Sequence, residues 1–302
     1  MFSTVEKPIG IFYSYEEWFN PLFRELERRG LPYVKLDPAR QWFDLSETDV
    51  PYSLVYNDMS YPSYVEGPSQ ANLNLQPYLK HLEQQHVPVI NGSVAIALQR
   101  SKMQQLLLLR SLGLDFPSTR IVTHASQLKP ATAEFKFPII LKGNAGHGAE
   151  TVLLKSTQDL KDGWEDGTLA LRDEQPWILQ EWIPAKGNHV VRAEVINGNF
   201  QYAVKLYRTP HDIDFWTADN EPFQPSLTVV KAIEKIARAA QLEVASVEYA
   251  IDRRDNQPYF YAIHAHSNFI VGHRPGGQDA YGSLANHIEL RLQKRREIEL
   301  IL

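Results

Sequence analysis

The 302-residue chain contains no cysteine. A disulfide framework, a thiolate nucleophile and a cysteine-ligated metal are therefore excluded. A positive excess is also missing, since 31 Lys and Arg stand against 36 Asp and Glu, a net charge of -5. Such a chain presents no global basic field for nucleic acid. The basic run Lys294-Arg295-Arg296 lies among glutamates and reads as a solvated helix face. No apolar run approaches the roughly 20 residues that span a bilayer. The start "MFSTVEKPIGIFYS" lacks the basic beginning and long apolar core of a secretory signal. The expectation is a cytoplasmic protein with no nucleic-acid partner and no membrane partner. Neither G-x-S-x-G nor H-E-x-x-H occurs, so hydrolase arrangements lack support. No repeat or low-complexity tract is present.

What is there suffices for a substantial core: 43% of the residues are hydrophobic. The runs 9–14, 33–37, 53–58 and 87–91 read as strands. Apolar residues at helical spacing in 15–30 (Trp18, Leu22, Phe23, Leu26) and the run 71–85 read as helices between them. This alternation implies a parallel sheet ending near residue 95. No glycine-rich dinucleotide fingerprint follows its first strand. Beyond it, 93–113 reads as one long amphipathic helix, and 190–208 as a hairpin turning at Asn197-Gly198. A periodic helix covers 226–242, a second hairpin forms around "RRDNQ", and a last helix covers about 283–301.

Two stretches carry chemical interest. In "FPIILKGNAGHGAETVLL" a lysine ends an apolar strand and is followed by Gly143, Gly146 and Gly148. Glycines let backbone amides approach phosphate oxygens, and a lysine neutralises them. A glycine-rich hairpin with a surface lysine has the same pattern. In "FYAIHAHSNF" (260–269), Ala262, His264 and His266 share one strand face, as metal ligands or as ordinary polar side chains.

The order of five segments resembles the ATP-grasp superfamily, and within it the RimK-type carboxylate–amine ligases. They are "RSKMQQLLLLRSLGLDFPSTRIV", "FPIILKGNAGHGAETVLL", "WILQEWI", "VVRAEVINGNFQYAVKLYR" and "VEYAIDRRDNQPYFYAIHAHSNF". The resemblance implies a mixed α/β and α+β fold. An N-terminal pre-ATP-grasp βαβ domain (1–95) precedes an ATP-grasp domain (96–302), divided into a small lid lobe at about 115–182 and a C-terminal lobe at 183–302. It implies that ATP phosphates are held by Lys102 and Lys142, under a lid loop containing Gly143, Gly146, His147 and Gly148. Glu181 and Ile183 would meet adenine through their backbone, with Gln180 beside them. Arg192, and with it Lys205 and Arg208, would face the transferred phosphoryl group.

The implied activity is ligation of a small-molecule or peptide carboxylate to an amine through an acyl phosphate, with magnesium (Mg2+) as the usual metal. Carboxylates are poor electrophiles, so the transfer needs concentrated positive charge and exclusion of water. The family's metal acids map to Glu248, then to Ala262, and its asparagine to His264; Asn268 supports the register. One carboxylate is thus absent. Glu248 could hold a single magnesium, His264 and His266 with His273 could take zinc or manganese (Zn2+, Mn2+), or the site has decayed into a non-catalytic nucleotide binder. Residues 209–223, with Trp216 and Asp219, form a long connection that shapes an acceptor pocket or caps the sheet. Homo-oligomerisation is left open.

Overall fold

The computed structural model describes residues 7–38, 40–46, 48–59, 69–145, 151–165, 169, 176–207, 220–267, 269 and 279–299. Among them three sheets form. The first is parallel, in the order β2-β1-β3-β4, built from β1 (Ile9–Tyr13), β2 (Tyr33–Leu36), β3 (Leu54–Asp58) and β4 (Val89–Ile90). Helices α1 (Glu16–Arg28) and α2 (Ser69–Gln84) make the crossovers. Helix α1 buries Phe19, Leu22, Phe23 and Leu26 against Ile9, Ile11, Leu54 and Tyr56. Each fully buried Leu or Ile there contributes about 2 kcal/mol. Gly30, at φ 67°, closes α1 in the left-handed conformation, and Leu31 N donates back to Leu26 O.

The run 93–113 is two helices, not one: α3 (Ser93–Gln99) and α4 (Lys102–Ser111). Ser101 interrupts it in an extended conformation, with its side chain accepting from Gln104 N. The sequence signal is Ser-x-x-Gln, half of a capping box inside an apolar run. Tertiary contacts reinforce the break, because Lys102 N donates to Asn144 O at 3.0 Å.

The second sheet is antiparallel, β5-β8-β6-β7, from β5 (Thr119–Val122), β6 (Ile139–Gly143), β7 (Val152–Leu154) and β8 (Trp177–Glu181). Its apolar face, with Val122, Ile139, Leu141, Leu154 and Leu179, packs on α5 (Leu128–Thr132) and α6 (Thr157–Glu165) through Leu128 and Leu160.

The third sheet is also antiparallel, β11-β10-β9-β12-β13. Its strands are β9 (His189–Ile196), β10 (Asn199–Tyr207), β11 (Asn220–Phe223), β12 (Val244–Ile251) and β13 (Pro258–His264). Asn197 and Gly198, at φ 54° and 68°, turn the β9–β10 hairpin as their dipeptide predicts. The long connection contributes β11 as an edge strand, a position that tolerates Pro222; Trp216 and Asp219 lie outside the described residues. One face of this sheet (Val191, Ala193, Val195, Ala245, Val247) is covered by α4 and α7 (Leu227–Ala239). The terminal helix α8 (Ala280–Glu299) packs on the first sheet's α1, and Arg29 bonds Glu289 at 2.6 Å.

Asn91 ties the first sheet to the third. Asn91, at the end of β4, is 1% exposed and sits at φ 55°, a conformation asparagine tolerates. Its Nδ2 donates to Val244 O (2.7 Å) and Ala265 O (3.0 Å), while Oδ1 accepts from the backbone of Glu243 (3.1 Å) and Val244 (3.2 Å). Asn57 Nδ2 donates to its carbonyl at 2.9 Å. Replacing the side chain strands buried backbone donors and acceptors. Asn91→Ala is expected to lower unfolding free energy by about 3 kcal/mol in urea titration; a loss of under about 0.5 kcal/mol, the level of an ordinary surface change, would contradict this role.

Candidate functional site

The polar face of the second sheet carries the first half of the site. Lys142 and Gln180 stand diagonally on β6 and β8, where Lys142 pairs with Ile178 and Ile140 with Gln180. Lys142 is buried, and its Nζ donates to Gln180 Oε1 at 2.7 Å. Gln180 is fixed in turn by donating to Thr119 Oγ1 on β5 at 3.1 Å. The neutral amide orients the ammonium without neutralising it. Gly143 leads to Asn144, whose Oδ1 accepts from Met103 N at 2.9 Å. Asn144 thereby ties the start of the glycine-rich loop to the N-terminus of α4, where Lys102 stands. Gly146, His147 and Gly148 lie outside the described residues.

At the end of β8 the chain crosses to the third sheet. Glu181 accepts from Arg254 at 2.7 Å, and Arg254 also grips the buried Asp252. Arg253 N donates to Pro184 O at 3.0 Å, and Ile183 is buried in the core beyond. The crossing segment is thus clamped to the β12–β13 turn, a strut the sequence did not reveal.

The third sheet's face opposite α4 and α7 is polar at its centre. Arg192 pairs with Glu248 across β9 and β12, and Glu248 with Ala262 across β12 and β13. Arg192 Nε donates to Glu194 at 2.9 Å, and its Nη1 to Glu248 Oε1 at 3.3 Å. Glu194 also accepts from Ser267 Oγ at 2.5 Å. His264 Nε2 stands 3.4 Å from Glu248 Oε1. Burial pushes the Glu248 carboxyl up, but His264, Arg192 and Tyr261 outweigh it and bring it down to about 2. Glu248 is therefore ionised at neutral pH.

Lys205 departs from expectation. An undisturbed two-residue turn would place it on Arg192's face. A bulge between Phe200 and Tyr202 shifts the register, so Arg192 pairs with Val204 and Lys205 with Val191. One extra residue moves every later side chain to the other face. Lys205 instead bonds Glu221 on β11 at 2.5 Å. Arg208 and Asn268 lie outside the described residues, as does His273. The rings of His264 and His266 meet edge-on, 5.4 Å apart. Among the described residues no three His, Asp or Glu side chains converge as a metal centre.

One participant was missed. Asp58, at the C-terminal end of β3, is 3% exposed, accepts from Tyr56 Oη (2.5 Å) and Ser267 N (3.1 Å), and reaches this face from the first sheet. The available signal was its place at the end of a parallel strand, where such sheets put their ligands. Burial, with Glu194 nearby, raises its carboxyl well above the ordinary value.

A family model for the RimK-like ATP-grasp domain matches residues 97–287. This chain belongs to the RimK-like ATP-grasp family. It is similar to the D-alanine–D-alanine ligase of Ectopseudomonas mendocina, at 29% identity over 109 residues. That match covers 35% of this chain and 34% of the relative, about a third of its length. Among solved structures, the ATP-grasp ligase PsnB, complexed with a phosphomimetic variant of minimal precursor, Mg and ADP, superposes with a TM-score of 0.73 at 18% identity, covering 95% of this chain and 99% of that one. A RimK domain protein from Sphaerobacter thermophilus gives 0.72 at 17% identity, covering 93% and 98%. These likenesses establish the ATP-grasp fold. No helix among the described residues is long and apolar enough to cross a membrane.

The two carboxyls give opposite pH slopes. Asp58, raised in the fold, stabilises fully below its unfolded value and loses that contribution as pH rises through its folded value. Glu248, lowered from 4.5 to about 2, contributes above its unfolded value and loses this as pH falls. Asp58→Asn should therefore gain stability over wild type as urea unfolding is moved from about pH 4 to about pH 8, and Glu248→Gln should flatten the acid limb. Curves parallel to wild type would contradict both assignments.

Proposed function

We propose that this RimK-like ATP-grasp protein is an ATP-dependent ligase that joins a carboxylate to an amine. The observation that carries the reading is the buried Lys142, held by Gln180 on β6 where the glycine-rich sequence begins. Its ammonium is a charge that an ATP phosphate can meet. Lys102 and the first amides of α4 add positive potential beside the same loop, and Asn144 holds the two together. These groups fit ATP phosphates. The backbone from Glu181 to Ile183 would take adenine on the clamped crossing.

In this reading a carboxylate oxygen attacks the terminal phosphorus of ATP. An O–P bond forms, the bond to the bridging oxygen breaks, and ADP leaves. Arg192, fixed by Glu194, holds positive charge where charge builds on the moving phosphoryl. The amine nitrogen then attacks the acyl carbon, a C–N bond forms, and phosphate departs. The substrates are small-molecule or peptide acids and amines. Arg208 and the connection 209–219 are assigned to the phosphoryl and acceptor sides of the site; Lys205, turned to the other sheet face, is left out. A cytoplasmic setting suits a reaction that consumes ATP.

Among the described residues, the acids of this face do not fit a pair of magnesium ions. Glu248 offers one carboxylate, Ala262 opposite it offers none, and Glu194 is engaged by Arg192 and Ser267.

The test is calorimetric nucleotide binding, followed by ADP release with a panel of acids and amines. Lys142→Ala is expected to weaken ATP binding by about ten- to a hundredfold, the worth of a charge-assisted bond. Absence of nucleotide binding by the wild type would sink the reading. Binding without ADP release across the panel would instead make the protein a nucleotide-binding scaffold.

A further inference from the structure

The first sheet grips one short segment after β13 at two neighbouring points. Asn91 Nδ2 donates to Ala265 O at 3.0 Å, and Asp58 Oδ1 accepts from Ser267 N at 3.1 Å. Tyr56 Oη holds Asp58 in turn at 2.5 Å, and Asp58 and Ser267 are both buried. The backbone of Ser267 is thereby placed from the first sheet, while its side chain acts on the third.

That side chain has one proton to give. Ser267 Oγ accepts from Phe269 N at 2.9 Å, so its hydroxyl hydrogen is directed to Glu194 Oε2 at 2.5 Å. Glu194 Oε1 accepts from Arg192 Nε at 2.9 Å. Each oxygen of this buried carboxylate therefore has a donor of its own. The terminal torsion of a glutamate is a broad, roughly two-fold rotor, and donors on both oxygens stop it. A guanidinium is planar, so the direction taken by its Nε–H sets the plane of the whole group. Glu248 constrains that plane less, because its contact with Nη1 is longer, at 3.3 Å.

We propose that Asp58 and Ser267 are positioning residues, which lock the Glu194 carboxylate and through it set the plane of Arg192 toward the transferred phosphoryl group. The phosphoryl part rests on the ligase reading; the orientation of Arg192 does not.

Arginine-selective 15N NMR on the full chain reads the Arg192 Nε–H directly, with Arg192→Lys assigning its signal. The wild-type signal is expected to be protected from solvent exchange. Exchange should quicken at least about tenfold in Ser267→Ala and in Asp58→Ala, the scale of one lost buried hydrogen bond. It should stay near the wild-type rate in Ser267→Thr and Asp58→Asn, which keep the hydroxyl and the Oδ1 acceptor. The Nε–H of Arg29, bonded to Glu25 at 2.8 Å, should be unchanged in every variant, whereas general loosening would move both signals. An unprotected wild-type signal, no response to Ser267→Ala, no rescue by threonine, or a matching change at Arg29 would overturn the proposal. Should the alanine variants not fold, Ser267→Cys, a near-isosteric weak donor, replaces them with the same expected quickening. For the phosphoryl part, ADP release by Ser267→Ala should show kcat lowered about tenfold with KM for ATP kept, since Lys142 is untouched. A raised KM with kcat kept would overturn that part. Calorimetric ATP binding by the wild type tests the ligase reading by itself, and its failure leaves the NMR result to decide the orientation of Arg192.

Discussion

The candidate site depends on a joint between two sheets that share no strand. Asn91 contributes to that joint by bonding backbone on both β12 and the segment after β13. Four hydrogen bonds from one buried amide are worth a few kcal/mol net, but their loss would leave several buried groups unsatisfied, which costs more than their formation gains. Because the joint fixes the end of β4 against β12, the neighbouring end of β3 is also fixed, and Asp58 meets Ser267 there. The polar face of the third sheet therefore has a floor supplied by the N-terminal sheet as well as by its own strands.

On that face one buried cation is held between two buried carboxylates. Arg192 is buried, and a buried guanidinium without partners would be prohibitively costly. Glu194 beneath it and Glu248 beside it supply the compensation, with Ser267 completing Glu194. Asp58 joins the network through Tyr56 and the Ser267 amide, and burial pushes its carboxyl up. In the second sheet Lys142 donates to Gln180, which donates in turn to Thr119. The Arg192 half of the site is thus balanced by its own carboxylates.

Much of the architecture was legible in the sequence. The parallel sheet followed from alternating strands and amphipathic helices, and the β9–β10 turn from Asn197-Gly198. Lys142 and Gln180 followed from a family pattern, and the structure brings them into contact. What escaped reading was either local chemistry overridden by periodicity or pairing between distant segments. Ser101 breaks an apolar run that scans as one helix. The bulge at Phe200 and Tyr202 leaves no clear mark in an alternating strand, yet it sends Lys205 to the opposite face. Asn91, Asp58 and Arg254 act on partners far along the chain, and no one-dimensional pattern carries that information. The substitution of Ala262 and His264 was visible; the 3.4 Å approach of His264 to Glu248 was not.

In the proposed function, phosphate lies between the Lys142 sheet and the Arg192 sheet. A crystal structure of the chain with a non-hydrolysable ATP analogue tests it most directly. The account predicts adenine against the backbone of 181–183 and the triphosphate running between Lys142 and Arg192. Nucleotide bound elsewhere, such as in the cleft beside Gln76 and Lys80, or an analogue-saturated crystal with none bound, would contradict it.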